Sequence, residues 1–326
     1  MRLKLVKDET HIKFFKFARI TFGASVVAVI ASIIIFLSNG LNYGIDFRGG
    51  TMLRIESPVD SGVGAFRDVL SPLGMGDINV TEVFDPSAAL DAGTVRHEYM
   101  VRVVQQGDDD AEQNGAVALI KATLDANFEG LIYLQTEAVS GKVSGELVQG
   151  SIIAVMISVI AVLFYVWLRF EWQFSVGAVA ALVHDVILTI GVFSLIGLEF
   201  NLSIIAALLT IVGYSLNDTV VVFDRVRENL RKFKTMDLKE LLDRAINETL
   251  SRTVMTAVTT LMALFALYFL GGDVVRGFTF AMIWGIIIGT YSSVFVASNI
   301  VLWLGVKRDW SKPDPNAGTQ FADADA

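Results

Sequence analysis

Apolar positions along the chain gather into six long blocks, at residues 20–37, 151–168, 174–198, 202–223, 253–270 and 278–306. Each reaches the roughly 18 residues that a helix needs to cross a bilayer. Acidic and basic side chains interrupt these blocks only at Asp185 and Asp218. The last block is long enough to tilt or to end in an interfacial segment. The first follows Arg2, Lys4, Lys7, Lys13, Lys16 and Arg19 and runs out into Ser38-Asn39-Gly40-Leu41-Asn42, with no small-x-small cleavage site. It therefore reads as an uncleaved transmembrane helix rather than a signal peptide.

Between the first two blocks the periodicity changes character. Residues 51–56, 78–84, 99–104 and 131–139 carry the alternation and the β-branched and aromatic enrichment of strands, whereas 64–73 and 111–128 repeat apolar residues at helical spacing, with Phe66, Val69 and Leu70 in one and Val117, Ile120 and Leu124 in the other. The predicted order is β-α-β-β-α-β, the split βαβ pattern of a ferredoxin-like domain with two helices on one face of a small sheet. The fold class expected is an α-helical polytopic membrane protein with one such α+β domain inserted between its first and second spans. The division that follows is an amino-terminal tail at 1–19, a first span at 20–38, the inserted domain at 39–147, a five-helix region at 148–306 and a carboxy-terminal tail at 307–326. Within the helical region, residues 224–251 read as a cytoplasmic amphipathic segment lying under the bundle, because Leu238, Leu241, Leu242, Ala245 and Ile246 share one face.

Charge supplies the orientation. Arg225, Arg227, Arg231, Lys232, Lys234, Lys239 and Arg244 follow the fourth block, Arg169 follows the second, and Lys307, Arg308 and Lys312 follow the sixth. The opposite short turns hold only Glu199 in one case and Asp273 with Arg276 in the other. Positive charge near helix ends favours the cytoplasmic side, so both termini are expected inside and residues 39–146 outside. That exported segment has 17 acidic against seven basic residues, a net charge of −10 within a chain total of −8. A domain so acidic is a poor partner for nucleic acid or an anionic lipid surface. Hydrophobic residues make up 53% of the 326, and there is no cysteine, which excludes a disulfide-stapled scaffold and any thiolate-ligated zinc or iron-sulfur site. No cofactor is expected. An intramembrane protease lacks support too, since neither His-Glu-x-x-His nor Gly-x-Ser-x-Gly occurs.

An ionisable group at membrane depth costs about 2.5 to 3.5 kcal/mol on insertion scales, so each one needs a reason. Ser215, Asp218, Thr219 and Val222 fall at i, i+3, i+4 and i+7, which places the Asp218 carboxylate on one helix face with two hydroxyls. That face is expected to look into the bundle. Arg252, Thr256, Thr259 and Thr260 recur at i, i+4, i+7 and i+8 in the fifth block, a matching polar seam that starts at a guanidinium. A buried carboxylate beside an arginine makes a proton-responsive pair. The same two residues could instead lock helices together, or Arg252 could snorkel to the interface. His184 and Asp185, adjacent in sequence, diverge by about 100° on a helix and do not point along one axis. One reading makes them ligand or relay and brace, and the other a satisfied hydrogen-bonded pair. Asn217 adds a further polar position beside Asp218. The Gly285-x-x-x-Gly289 pair allows close helix approach and is expected to pack inside the bundle.

Three stretches carry a resemblance to a known family. Asn42-Tyr43-Gly44-Ile45-Asp46-Phe47-Arg48-Gly49-Gly50-Thr51 resembles the Asp-Phe-x-Gly-Gly signature that follows the first helix in the SecD/SecF family of bacterial protein-export subunits, within the RND superfamily. Gly213-Tyr214-Ser215-Leu216-Asn217-Asp218-Thr219-Val220-Val221-Val222-Phe223-Asp224-Arg225 is similar to its fourth-helix motif. Leu250-Ser251-Arg252-Thr253 with Thr259-Thr260-Leu261 is similar to the start of its fifth, and His184-Asp185 matches a pair in its third. One stretch departs: where the family often has Val-Gly-Pro-x-Val-Gly-x-Glu-Leu, this chain reads Val139-Ser140-Gly141-Lys142-Val143-Ser144-Gly145-Glu146-Leu147, without the proline.

The resemblance implies an RND-like bundle in the bacterial cytoplasmic (inner) membrane, with the large domain periplasmic. It implies a separate subunit that pairs with SecD and works beside SecYEG, YajC and SecA on translocating preproteins. It implies a proton-driven transport role rather than an enzymatic one, with Asp218 as proton carrier, Arg252 as its charge partner, and His184, Asp185, Ser215, Asn217, Thr219 and Thr256 as supporting polar groups. Asp46, Phe47, Gly49 and Gly50 are the family signature. Two alternatives stay open, a half-transporter for a small molecule or lipid and a non-conducting scaffold.

Overall fold

The structure, a computed structural model, describes residues 10–83 and 97–306. The tail at 307–326, the first nine residues of the amino-terminal tail and residues 84–96 lie outside the described residues. Helix α1 (Ala18–Asn39) follows a 3-10 turn at Phe14–Phe17 and leads into strand β1 (Asn42–Tyr43), helix α2 (Ile45–Arg48) and strand β2 (Gly50–Ser57). Then come α3 (Gly62–Leu70), β3 (Ile78–Val83), β4 (His97–Val104), α4 (Asp110–Asn127) and β5 (Ile132–Val139). The remainder is α5 (Gly141–Arg169), α6 (Trp172–Ile196), β6 (Glu199–Phe200), α7 (Leu202–Lys232), α8 (Leu238–Leu270), α9 (Gly272–Ser292), a π-helical turn at Ser293–Ala297 and α10 (Ser298–Leu304). Among the described residues six helical stretches are long and apolar enough to span a membrane: Phe14–Asn39, α5, α6, α7, α8 and Gly272–Leu304.

In the inserted domain the four strands form one sheet in the order β3-β4-β2-β5, with every neighbour antiparallel. Alternation assigns the faces. Leu53, Ile55, Tyr99, Val101 and Val103 point to one side and meet Phe66 and Leu70 of α3 and Ile120 and Leu124 of α4 in a single buried cluster. Phe66 sits between Tyr99 and Phe128, with ring centroids 4.6 Å and 4.4 Å away. The other face carries Met52, Arg54, Met100 and Arg102, with Arg54 bound to Glu98 at 2.6 Å.

The helical region departs from the sequence-based boundaries in two places. Strand β5 passes through Ser140 alone into α5, so the expected division at 147 falls inside a helix. With no proline in this stretch, helical geometry begins at Gly141. The amphipathic segment is likewise no separate helix. Its first part extends α7 to Lys232, and the rest forms the opening turns of the 33-residue α8. A continuous helix avoids the unpaired backbone groups that a break would create. Leu241, Leu242, Ala245 and Ile246 are buried against Phe15 and neighbouring apolar groups. Asn247 holds the chain just before the Phe14–Phe17 turn by accepting from Ile12 N at 2.9 Å and donating to Ile12 O at 2.8 Å.

Burial divides the spans into two groups. Half or so of the apolar window is buried in α6, α7 and Gly272–Leu304, at 50%, 44% and 61%, against 11%, 6% and 11% in Phe14–Asn39, α5 and α8. The first three form the packed interior that holds the intramembrane polar groups. The others leave broad apolar faces for lipid or for another protein.

Candidate functional site

Close approach of α9 to α7 builds the first polar centre. A side chain at Gly285 would collide with Ile211, and a Cβ at Gly289 would lie 3.0 Å from the Ser215 Cβ. The Gly-x-x-x-Gly pair thus packs inside this chain and brings Ser215 of α7 and Ser292 of α9 onto Asp185 of α6. Asp185 is 1% exposed. Its Oδ2 accepts from Ser215 Oγ at 2.6 Å and Ser292 Oγ at 2.8 Å, and its Oδ1 lies 3.0 Å from His184 Nδ1. Both members of the His-Asp pair are therefore buried and bonded to each other. They diverge in what else they meet: Asp185 turns to the two serines, while the His184 ring stacks beside Tyr291 with centroids 6.3 Å apart. Tyr291 ties that side to α1, donating to Thr21 O at 2.8 Å and lying 3.0 Å from Ser25 Oγ. His184 Nε2 is buried and has no hydrogen-bond partner among the described residues.

Asp218 is arranged in the opposite way. It is 3% exposed, and its buried Oδ2 has no well-aligned hydrogen-bond partner among the described residues, with Thr253 the nearest hydroxyl. The helix-face argument holds for orientation, since Ser215, Thr219 and Val222 are all about 1% exposed. Ser215 shares that face, but its hydroxyl is given to Asp185. Thr219 Oγ1 turns back to Ser215 O at 3.1 Å. Asn217 is exposed on the outer side of α7.

The seam on α8 is rotated by about one residue from its expected position. Among the described residues no ion pair joins Arg252 to Asp218. Arg252 is exposed, and its charge reaches Asp218 only through space. The residue that faces Asp218 is Thr253, 3% exposed, whose buried Oγ1 lies toward the Asp218 carboxylate. Thr256, Thr259 and Thr260 turn their hydroxyls back onto α8, to Arg252 O, Met255 O and Thr256 O at 2.9, 2.8 and 2.9 Å. Sequence reasoning missed Ser292, Tyr291 and the inward role of Thr253. The spacing Gly285, Gly289, Ser292 was the available signal for Ser292.

The Asp46-Phe47-x-Gly49-Gly50 signature lies away from these centres, where the inserted domain joins the bundle. Asp46 Oδ2 accepts from Leu202 N at 2.8 Å, satisfying an unpaired donor at the start of α7. Phe47 packs on Phe200, with centroids 5.9 Å apart. Gly50 has φ 134°, and a Cβ there would lie 2.5 Å from Val103 O, so the position requires glycine. Strands β1 and β6 pair in parallel beside it, Asn42 with Glu199 and Tyr43 with Phe200. Arg102 of β4 forms an ion pair with Glu199. Burial pushes the Glu199 carboxyl above the ordinary carboxylate range, Arg102 pulls it back, and Asp46 pushes it further up.

These features have counterparts in known proteins. A family model described as the SecD/SecF GG motif matches residues 34–57, and one described as protein export membrane protein SecD/SecF, C-terminal, matches residues 120–307. The chain belongs to the SecD/SecF family. A SecD/SecF relative named protein translocase subunit SecF, from Cereibacter sphaeroides, is 52% identical over 100% of this chain and 99% of its own length. The protein translocase subunit SecDF of Brucella abortus is 40% identical over 94% of this chain, which spans 39% of that longer protein. The crystal structure of SecDF from Thermus thermophilus, a translocon-associated membrane protein, superposes with a TM-score of 0.78 at 34% identity. The alignment covers 93% of this chain and 40% of that one.

Proposed function

We propose that this chain is the SecF-type half of a SecD–SecF unit that uses the proton-motive force to assist protein export across a bacterial inner membrane. Export rests on family membership, and proton coupling rests on one observation. Asp218 is a buried carboxylate at membrane depth with one oxygen that has no well-aligned hydrogen-bond donor among the described residues. Such a group has capacity for a proton and sits beside the arginine charge that can repel it. Asp218 is the carrier, Arg252 its charge partner from the rim, and Thr253 the hydroxyl beside it. His184, Asp185, Ser215 and Ser292 form a bonded brace that holds α6, α7 and α9 in register around it.

A SecD partner is supported by the outer face of α7. Ser203, Ala206, Thr210, Gly213 and Asn217 recur there at helical spacing and are all exposed, with Arg252 exposed on the neighbouring α8. Small and polar groups facing outward at this depth suit another helix better than lipid. The fused SecDF relative, longer than this chain, supports the same pairing. SecYEG, YajC, SecA and the preprotein follow from the family resemblance. The basic stretch between α7 and α8 supports a cytoplasmic location for that end. The inserted domain is then periplasmic, and its β3-β4-β2-β5 order supports reading it as ferredoxin-like.

The test is proton flux in inner-membrane vesicles that hold this chain with its SecD partner, native against Asp218→Asn, at equal complex recovery. Loss of flux in the variant is expected. Flux absent from both would favour a scaffold, and flux intact in the variant would remove Asp218 from the path.

A further inference from the structure

The rotation of α8 about its axis decides which of its residues meets Asp218. Thr249, Thr253 and Ala257 follow one another at i, i+4 spacing and are buried. Beside them Glu248 and Arg252 share a second stripe, on which Arg252 is exposed. A turn of one residue would exchange the stripes and carry the Arg252 guanidinium to where the Thr253 hydroxyl now faces the Asp218 carboxylate.

Glu248 ties α8 to α7 just beyond that contact. Its Oε2 accepts from Arg225 Nε and Asn229 Nδ2 of α7, both at 2.8 Å, and its Oε1 accepts from Arg244 Nε of α8 at 2.9 Å. Glu228 holds Arg225 by a further bond of 2.6 Å to Nη1, and Asn229 is 2% exposed. Asp218, Val222, Arg225 and Asn229 fall at i, i+4, i+7 and i+11, so the two α7 donors stand on the helix face that carries Asp218. Two short bonds from one face to a single oxygen leave α8 little freedom to turn. A one-residue turn moves each of its Cα atoms by about 3.5 Å, further than hydrogen bonds of this length survive. The bond to Arg244 lies within α8 and fixes no rotation.

We propose that Glu248 is a positioning residue for proton transfer: clamped by Arg225 and Asn229, it sets the rotation of α8 and so keeps the Thr253 hydroxyl, rather than Arg252, against Asp218. This rests on the reading of Asp218 as the proton carrier and adds what holds its neighbour in place. Glu248 itself touches no intramembrane group and acts through Thr253.

A residue that acts through another gives effects that do not multiply when both are changed. Proton flux is compared in vesicles holding the full chain with its SecD partner, at equal complex recovery. Glu248→Ala and Thr253→Val are each expected to lower flux about tenfold, and the double variant to stay within twofold of the lower single one. Asn229→Ala takes one of the two α7 donors from Oε2 and serves as the milder second variant, with an expected loss of about threefold. Arg244→Ala removes only the bond inside α8 and should stay within twofold of native, whereas a general loss of charge at this cluster would lower it as far as Glu248→Ala. Flux within twofold of native in Glu248→Ala or in Thr253→Val would overturn the inference, as would a double variant about a hundredfold down or an Arg244→Ala variant as impaired as Glu248→Ala. Each of these leaves the proton reading standing where Asp218→Asn abolishes flux. Native flux in Asp218→Asn would overturn that reading, and the inference with it.

Discussion

Two carboxylates separated by one helix contact show how local hydrogen bonding assigns different work to the same side chain. A proton arriving at Asp185 would disturb a bond to Ser215, Ser292 or His184, whereas one arriving at Asp218 Oδ2 meets an oxygen with no well-aligned donor among the described residues. Ser292→Ala removes one of the two donors to Asp185 Oδ2 and should cost about 1 to 3 kcal/mol of stability. Thermal unfolding of the purified complex should move down accordingly, while flux per folded complex stays within twofold of native. A flux loss as complete as in Asp218→Asn would place Asp185 in the path rather than in the brace. The inward direction of Asp218 was legible in the sequence, because Ser215, Asp218, Thr219 and Val222 define a face by spacing alone. Which residue of α8 meets that face was not. It depends on the rotation of α8 about its axis, and a shift of one residue exchanged Arg252 for Thr253.

At the scale of elements, the α7–α9 contact governs the brace, since Gly285 and Gly289 set how closely the two helices approach. Gly285→Leu should force α9 off α7 through the Ile211 overlap and cost about 1 to 3 kcal/mol by overpacking. Gly150→Leu on α5, where nothing lies within 4 Å, is the control and should leave melting unchanged or slightly raised. Equal melting temperatures in the two variants would show that the contact carries no such constraint. The small-residue motif itself was readable, and so was its internal use. Helix continuity was harder to read. Residues 224–251 have helical periodicity whether they lie under the bundle or extend α7 and α8, and only the packing of Leu241, Leu242 and Ala245 against Phe15 selects the second arrangement. The start of α5 at Gly141 had a signal in the absent proline, which leaves nothing to separate strand from helix.

The whole molecule is two bodies joined at one place, and that joint was the least legible part. Blocks of apolar residues mark the spans, and alternation marks the elements of the inserted domain. The β1–β6 pairing and the Asn42 to Gly197 bond, however, connect residues 157 and 155 apart in the chain with no local pattern to announce them. At the joint, Glu199 is pressed by burial, by Arg102 and by the nearby carboxylates Asp46 and Glu137, with the net effect of raising its proton affinity in the folded state. A carboxyl whose folded value lies above its ordinary 4.5 binds its proton more tightly when folded. Its contribution to stability is therefore complete below that ordinary value and is lost as pH rises through the folded one. Glu199→Gln cannot titrate and keeps the shape of the contact. The melting temperature of native protein relative to this variant should fall as pH is raised from 4 toward neutrality, and parallel curves across that range would contradict the assignment. Glu199 lies between α6 and α7 and pairs with Arg102 of the domain sheet, so the same comparison reports on the contact that joins the domain to the helices that carry Asp185 and Asp218.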